Sequence, residues 1–189
     1  MKVETVIVGQ LETNCYLLDI DNHVLIIDPG DEYEKIMNSV GSRTIDGVLI
    51  THGHFDHIGA KDKFDKNDIY DFSNLKEGII TIGKFNFEVI YTPGHKEDLI
   101  SFYFDKEKLL FCGDFIFYES IGRTDLDGGN ILDMYVSLKK TDRFSDDVVI
   151  YPGHGRSTDF KHERKYNMFL NRGKYEWKNN EIKRHDWWM

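Results

Sequence analysis

The most constraining feature of this sequence is a dense run of metal-binding residue types over positions 52–57, which reads His-Gly-His-Phe-Asp-His. An apolar Gly-Val-Leu-Ile run comes directly before it and predicts a short buried strand. Residues two apart in an extended segment face the same side, so His52 and His54 can reach one metal ion together. Asp56 and His57 follow as the chain turns, where they can serve a second ion. A cluster of solvated histidines explains so dense a pattern less well.

Three more residues of metal-binding type share one sequence context. Each follows a predicted strand and lies beside a glycine, which lets the backbone turn sharply. They are His95 in Thr-Pro-Gly-His, Asp114 in Cys-Gly-Asp and His154 in Pro-Gly-His-Gly. A single histidine or aspartate in a loop is usually a cap or a turn residue, but that explanation does not account for a shared context. The remaining histidines lack this context and are predicted to be structural or solvated: His23, His162 and His185.

Length and composition indicate one compact domain. The chain has 189 residues, of which 40% are hydrophobic and 14% aromatic, which argues against disorder. Its net charge of −9 disfavours a nucleic-acid partner, and no apolar stretch predicts a targeting segment or a membrane span. Cys15 and Cys112 lie in apolar strand-like runs and are expected to be buried free thiols. We therefore expect a cytoplasmic protein, a monomer or homodimer, without nucleic acid or membrane partners.

Hydrophobic patterning predicts a strand-rich chain with few helices. Strands are predicted near residues 2–9, 14–20, 23–27, 46–50, 79–82, 85–91, 98–104, 107–112 and 147–151. Helices are predicted near residues 31–40, 130–140 and 160–170. The charged segment 61–68 is predicted to be a solvated loop. Patterning alone supports only an α/β or α+β class.

The candidate ligands, in their order and spacing, resemble those of the metallo-β-lactamase superfamily of metallohydrolases. The matching residues are His52, His54, Asp56, His57, His95, Asp114 and His154. Six further segments are similar to the glyoxalase II branch of that family. They are 113–117 (Gly-Asp-Phe-Ile-Phe), 121–126 (Ile-Gly-Arg-Thr-Asp-Leu), the 153–155 and 163–170 segments, and the N-terminal 14–17 and 26–30 segments. The resemblance covers about residues 1–170.

The resemblance implies a two-metal site with a role for each ligand. It assigns the first ion to His52, His54 and His95 and the second ion to Asp56, His57 and His154. Asp114 would bridge the two ions together with a water or hydroxide. Asp56 and Asp114 are the expected catalytic residues, and Asp56 would also orient the hydroxide and carry a proton. Zinc is the first expectation for both divalent ions, with iron or manganese as alternatives.

Two further roles are expected for residues outside the ligand set. Asp28 and Thr51 are candidates to orient the ligands from outside, although Asp28 is equally well explained as the first residue of a Pro-Gly turn. Arg123 is a candidate for binding a substrate carboxylate, and its alternative is a salt bridge to Asp125 or Asp127 that fixes the loop.

The resemblance also implies the architecture. We expect a single-domain α+β fold, a four-layered αββα sandwich with the metal site at one edge where strands end. Residues 1–170 would form the catalytic domain. The tail 171–189, which contains Trp177, Trp187 and Trp188, departs from the family pattern and is expected to pack on the domain or on a partner subunit. It does not resemble the long C-terminal helical domain that binds glutathione in full-length glyoxalase II enzymes.

The implied function is hydrolysis of a small thioester of the hydroxyacyl-thiol class by a hydroxide that bridges two metal ions. Two enzymatic alternatives are a mononuclear iron persulfide dioxygenase, which shares the Gly-Arg-Thr-Asp feature, and a lactonase. A catalytically inactive metal-binding interaction protein is the alternative from another class. Flavodiiron chemistry is disfavoured because those proteins carry a glutamate at the position of His54. A β-lactamase is disfavoured because the antibiotic-hydrolysing members typically lack the carboxylate at Asp114.

Overall fold

The computed structural model of the chain describes residues 1–171. The expected roles of the tail, including its three tryptophans, and of His185 lie outside the described residues. The described part consists of two mixed sheets, a small hairpin and four α-helices.

The first sheet is built from the N-terminal part of the chain. Its spatial order is β1 (Lys2–Val8), β2 (Thr13–Ile20), β3 (His23–Ile27), β4 (Thr44–Leu49) and β5 (Ile69–Tyr70). The first three strands are antiparallel neighbours, whereas β3, β4 and β5 run parallel. Helix α1 (Tyr33–Val40) makes the crossover from β3 to β4, as a parallel pair requires.

The second sheet is built from the C-terminal part. In chain order its strands are β6 (Gly78–Ile82), β7 (Phe85–Tyr91), β8 (Ile100–Phe104), β9 (Leu109–Gly113), β12 (Val149–Pro152) and β13 (Thr158–Asp159), and the spatial order is β13-β12-β9-β8-β7-β6. The strands β10 (Ile116–Phe117) and β11 (Ser120–Ile121) form a separate hairpin. The other helices are α2 (Phe55–Ile58), α3 (Ile131–Lys140) and α4 (Phe160–Tyr166).

Side-chain alternation along the strands divides the core into three apolar layers. On β2, Tyr16 and Leu18 point toward the second sheet, while Cys15 and Leu17 pack with α1. A third cluster packs α3 and α4 on the outer face of the second sheet and contains Cys112. Helix, sheet, sheet and helix therefore form the expected four-layered αββα sandwich. Both cysteines are buried free thiols, as expected.

Several elements differ from the sequence prediction. The short strands β5, β10, β11 and β13 were not predicted, because two-residue strands leave no period in the sequence. The predicted helix over 160–170 ends at Tyr166, and the following residues turn back into the core through Leu170. The charged segment 61–68 is mostly exposed, as expected, but contains two 3₁₀ turns, Lys61–Lys63 and Lys66–Asp68.

Strand direction explains why the candidate ligands meet. β9 and β12 are parallel, and β7 runs in the same direction because β8 is antiparallel to both β7 and β9. The carboxyl ends of these three strands, after which His95, Asp114 and His154 follow, therefore reach one edge of the second sheet. The first sheet joins this edge where the Ile100 amide donates to the Thr51 carbonyl at 2.9 Å.

The described residues contain no helix that is long and apolar enough to cross a membrane.

We predict that Phe111→Ala lowers the free energy of unfolding by about 3–5 kcal/mol, because it removes a fully buried ring between the two sheets. The Phe111 ring stacks on Tyr151 at 4.8 Å and meets the edge of Tyr16 at 5.1 Å. Urea unfolding curves measure the change. Ile79→Thr, at a strand position that is 75% exposed, is the control and should stay within about 0.5 kcal/mol of wild type. Equal losses in the two variants would contradict the prediction.

Candidate metal centre

The structure brings all seven candidate ligands together at the shared edge of the sheets. In the first group, Nε2 of His52 and Nε2 of His95 lie 3.1 Å and 2.9 Å from Nδ1 of His54. Three imidazole nitrogens therefore converge on one point. The extended backbone of His54 agrees with the same-side placement inferred from the sequence.

The second group consists of Asp56, His57 and His154. Oδ2 of Asp56 lies 3.1 Å from Nε2 of His154 and 3.5 Å from Nε2 of His57. These three side chains come from the start of α2 and from the loop after β12, so the group joins the two sheets.

Asp114 lies between the two groups. Its Oδ2 is 3.5 Å from Nε2 of His95 and 3.6 Å from Nε2 of His154, and its Oδ1 is 3.4 Å from Nε2 of His57. One carboxylate thus faces both groups. Three sets of side chains each offer ligand atoms within 4.8 Å of one another: His52 with His54 and His95, His52 with His57 and Asp114, and Asp56 with His57 and His154.

Four of the five histidines have one ring nitrogen in the cluster and donate a hydrogen bond from the other. Nδ1 of His52 contacts Thr51 Oγ1 at 3.1 Å, and Nδ1 of His57 contacts Asp28 Oδ2 at 2.9 Å. Nδ1 of His95 contacts the Arg123 carbonyl oxygen at 2.8 Å, and Nδ1 of His154 contacts the Leu11 carbonyl oxygen at 2.9 Å. An acceptor at Nδ1 fixes the tautomer and leaves the lone pair of Nε2 for a metal ion.

Asp28 and Thr51 form the support that the sequence suggested. The buried Asp28 carboxylate accepts hydrogen bonds from the Thr51 amide at 2.7 Å, from the Thr51 hydroxyl at 2.7 Å and from His57. Because the Thr51 hydroxyl donates to Asp28, it can accept from His52.

The two groups differ in their electrostatics. In the first group, burial and the neighbouring imidazoles lower the pKa values of His52 and His54. In the second, burial alone would lower the pKa of His57, but Asp28 and Asp114 raise it to about 10. The pKa of His154 is also raised, because the hydrogen bond to Asp56 outweighs burial.

The pKa values of the carboxylates Asp56 and Asp114 are lowered, in contrast to those of His57 and His154. Burial would raise the pKa of Asp56, but its hydrogen bond with His154 and the charge of His57 hold the pKa well below its usual range. The pKa of Asp114 is lowered against burial as well, chiefly by its interaction with His57. Both carboxylates are therefore ionised at neutral pH.

Two buried atoms of the cluster lack hydrogen bonds. Within residues 1–171, His57 Nε2 and Asp114 Oδ1 are among three buried side-chain atoms without a hydrogen-bond partner. Unpaired buried polar atoms are rare in proteins, and these two face each other inside a cluster of nitrogen and carboxylate ligands. Such a donor set suits zinc, iron or manganese, so the residues present fit a bound metal.

Two glycines are required by close packing around the cluster. A Cβ at Gly153 would lie 2.2 Å from Asp114 Oδ1 and 2.6 Å from His57 Cε1. A Cβ at Gly30 would lie 1.7 Å from the Asp56 carbonyl oxygen. Side chains at either position would displace candidate ligands.

Arg123 does not contribute its side chain to the cluster. Its exposed guanidinium donates to both carboxylate oxygens of Asp125, at 2.7 Å and 2.8 Å, which is the structural alternative considered above. The Arg123 carbonyl, in contrast, accepts from His95. The expected substrate contact of Arg123 stays a prediction.

Sequence reasoning missed the backbone carbonyls of Leu11 and Arg123 and the hydroxyl of Thr13, which donates to Asp56 Oδ2 at 3.0 Å. Any residue type supplies a carbonyl, so the sequence carries no signal for the first two. The two other described histidines lie outside the cluster and hydrogen-bond with carboxylates, His23 with Asp46 and His162 with Glu119.

An open cavity of about 350 Å³ adjoins the first group. It is lined by His54, Lys96, Glu97, Leu126, Asp127 and Gly128. This volume suits a small molecule. Its charged rim contains one cation and two acids, and Lys96 lies 3.4 Å from Asp98.

Comparison with known proteins supports one family. The sequence matches the family model described as the metallo-beta-lactamase superfamily over residues 8–70 and 62–154. It is 33% identical to the probable metallo-hydrolase YqgX of Bacillus subtilis, over 90% of this chain and 98% of that protein. It is 31% identical to the hydroxyacylglutathione hydrolase GloC of Haemophilus influenzae, over 90% of this chain and 99% of that protein.

Two solved structures share the fold over most of the chain. BLEG-1, described as a B3 metallo-beta-lactamase, is 31% identical with a TM-score of 0.83, over 89% of this chain and 99% of that one. TTHA1623, solved in a di-iron-bound form, is 29% identical with a TM-score of 0.80, over 89% of this chain and 100% of that one.

We predict that Asp28→Asn lowers the pKa of His57 from about 10, because the variant removes the carboxylate charge next to Nδ1. The measurement is an NMR titration of the His57 ring in metal-free protein. Asp46→Asn is the matched control, since Asp46 contacts His23 rather than His57. An unchanged His57 pKa in Asp28→Asn would contradict this assignment of the charge.

Proposed function

The chain belongs to the metallo-β-lactamase superfamily and is a metal-dependent hydrolase, and from this we propose that it hydrolyses small thioesters of the hydroxyacyl-thiol class at a two-metal centre. The observation that carries the proposal is the convergence of five imidazoles and two carboxylates in one cluster. Two buried atoms of this cluster, His57 Nε2 and Asp114 Oδ1, lack hydrogen bonds.

Each ion has its own ligand group in this proposal. His52, His54 and His95 would hold the first ion, Asp56, His57 and His154 would hold the second, and Asp114 would contribute to both. The position of Asp114, within 3.6 Å of ligand nitrogens from both groups, supports the bridging role. Zinc is the proposed ion, with iron or manganese as alternatives, and the di-iron form of TTHA1623 supports a two-ion site. When bound, such ions lower the pKa of a shared water and polarise a substrate carbonyl.

The residues of the chain orient the reactants. The Asp56 carboxylate is ionised, and its Oδ2 accepts from Thr13 and faces His154, so the other oxygen of Asp56 would accept a proton from an attacking water. The cavity beside His54 receives the substrate next to the first ligand group. Lys96, on the rim of that cavity, is available to contact an anionic part of the thiol carrier.

The choice of a thioester has two supports. GloC of Haemophilus influenzae is named as a hydroxyacylglutathione hydrolase and matches nearly the whole chain. The segments around Asp114, Arg123 and His154 resemble the same branch. A persulfide dioxygenase, which would use one iron, is less well supported because Asp56, His57 and His154 form a second ligand group of their own.

We expect metal-loaded protein to release thiol from S-D-lactoylglutathione and Asp114→Ala to lower the rate at least about 100-fold, because the variant removes the carboxylate that faces both ligand groups. A thiol-reactive dye measures the release, and metal analysis of each sample gives its ion content. Asp46→Ala removes a carboxylate remote from the cluster and should retain activity.

The other arms of this experiment separate the alternatives. Wild-type protein that carries two ions but cleaves no small acyl thioester would contradict the thioester proposal. Lactone opening would then favour a lactonase, and nitrocefin hydrolysis would favour the chemistry named for BLEG-1. Oxygen consumption with a persulfide and about one iron per chain would favour the dioxygenase.

We also predict that the second ion binds with a steeper pH dependence than the first. In metal-free protein the raised pKa of His57, about 10, means that a proton must leave before the second ion binds. His52 and His54, whose pKa values are lowered, are already neutral. The affinity for the second ion should therefore fall at least about tenfold for each unit that the pH is lowered below neutrality, because His154, whose pKa is also raised, adds to the competition by protons, while the affinity for the first falls less.

Zinc titrations against a chromophoric chelator between about pH 6 and 8 measure both affinities. Asp28→Asn is the matched variant, since its lower His57 pKa should reduce the slope for the second ion. Equal slopes for the two ions in wild type would contradict the assignment of His57 to the second ion.

A further inference from the structure

The turn between β1 and β2 reaches across from the first sheet to the second ligand group. Residues 9–12 form this turn, in which Glu12 adopts a left-handed backbone conformation with φ of 54°. The next residue, Thr13, is 1% exposed and pairs as an isolated β-bridge with His154. The N-terminal hairpin therefore touches a ligand that follows the last long strand of the second sheet.

The N-terminal hairpin contacts Asp56 and His154, the two residues that form the second ligand group with His57. The Thr13 hydroxyl donates at 3.0 Å to Oδ2 of Asp56, the same oxygen that lies 3.1 Å from Nε2 of His154. The Leu11 carbonyl accepts from Nδ1 of His154 at 2.9 Å. Leu11 in the turn and Thr13 directly after it thus orient the His154 ring and the Asp56 carboxylate, which face each other.

Further contacts fix the loop that carries His154. The Asn14 amide donates to the Gly153 carbonyl at 2.7 Å, and the Asn14 side chain donates to the carbonyls of Pro152 at 3.0 Å and Gly155 at 2.8 Å. The hairpin therefore binds the backbone on both sides of His154, which leaves the loop little freedom to move away from Asp56.

The first ligand group receives its outer hydrogen bonds from other parts of the chain. His52 contacts the Thr51 hydroxyl, and His95 contacts the Arg123 carbonyl. The hairpin contacts are thus directed at the second group, and changes in the hairpin should affect the second ion selectively.

We infer that Thr13 is a positioning residue that sets the affinity for the second metal ion, by fixing Oδ2 of Asp56 against His154 while the first ion is unaffected. This inference rests on the two-ion site proposed above. Without the hydroxyl, Oδ2 of Asp56 loses the partner outside the ligand cluster that holds it in the ligand position. Partners that orient a metal ligand from outside typically change metal affinity by about 10–100-fold.

The test is a zinc titration of metal-free full-length protein against a chromophoric chelator, which resolves two dissociation constants. Thr13→Val, which keeps the shape of the side chain and removes the hydroxyl, should weaken the second ion at least about tenfold and leave the first within about twofold. Thr13→Ser, which keeps the hydroxyl, should restore the second ion. If Thr13→Val does not fold, Thr13→Ala compared with Thr13→Ser supplies the same contrast.

Thr141→Val is the matched control, because Thr141 is also a buried threonine and its hydroxyl donates to the Leu138 carbonyl, away from the cluster. It should leave both constants unchanged. Unchanged binding of the second ion by Thr13→Val, or equal weakening of both ions, would overturn the inference while leaving the two-ion site intact. Wild-type protein that binds fewer than two zinc ions would instead contradict the two-ion site itself.

Discussion

The buried carboxylate of Asp28 is the interaction on which the geometry of the cluster depends. It follows β3 and accepts three hydrogen bonds, two from Thr51 at the end of the parallel neighbour β4 and one from His57. A carboxylate with this little exposure is stable only when its oxygens are fully hydrogen-bonded. Because those donors lie on the segment that carries the ligands, satisfying Asp28 fixes where that segment leaves the first sheet.

The two ligand groups differ in the charge that their side chains carry. The first consists of imidazoles, and burial and neighbouring rings lower the pKa values of His52 and His54 so that both are neutral. The second places Asp56 close to Asp114, so it concentrates negative charge around His57 and His154. In metal-free protein the proton on His57 balances part of that charge, which allows two ionised carboxylates to stay close together. The same balance makes protons compete with an ion at the second group more than at the first.

Local patterns in the sequence predicted an α/β or α+β class and singled out the ligand-type residues, whereas the αββα architecture and the division of the ligands into two groups came from the resemblance to the metallo-β-lactamase superfamily. His52 and His54 alternate on extended backbone, and glycines mark the turns beside His95, Asp114 and His154. The contacts that orient these residues were mostly not predictable. The carbonyls of Leu11 and Arg123 depend on which loops meet in space, and Thr13 lies 43 residues before the carboxylate that it contacts. The short strands β5, β10, β11 and β13 exist because a neighbouring strand is available, not because of their own patterning.

Assembly of the cluster requires the two sheets to be docked. Asp56 and His57 follow the first sheet, His154 follows the second, and the hairpin that joins β1 to β2 bridges them. The inter-sheet core supports the same alignment, since Tyr16 packs against Phe111 and its hydroxyl donates to the Pro152 carbonyl at 2.5 Å, two residues before His154. Ions that bind both groups would bind only the docked state, so their binding energy would add to the stability of that packing. A variant weakened in the inter-sheet core should consequently have a smaller unfolded fraction with metal bound than without it, although the substitution lowers the free energy of unfolding by the same amount in both.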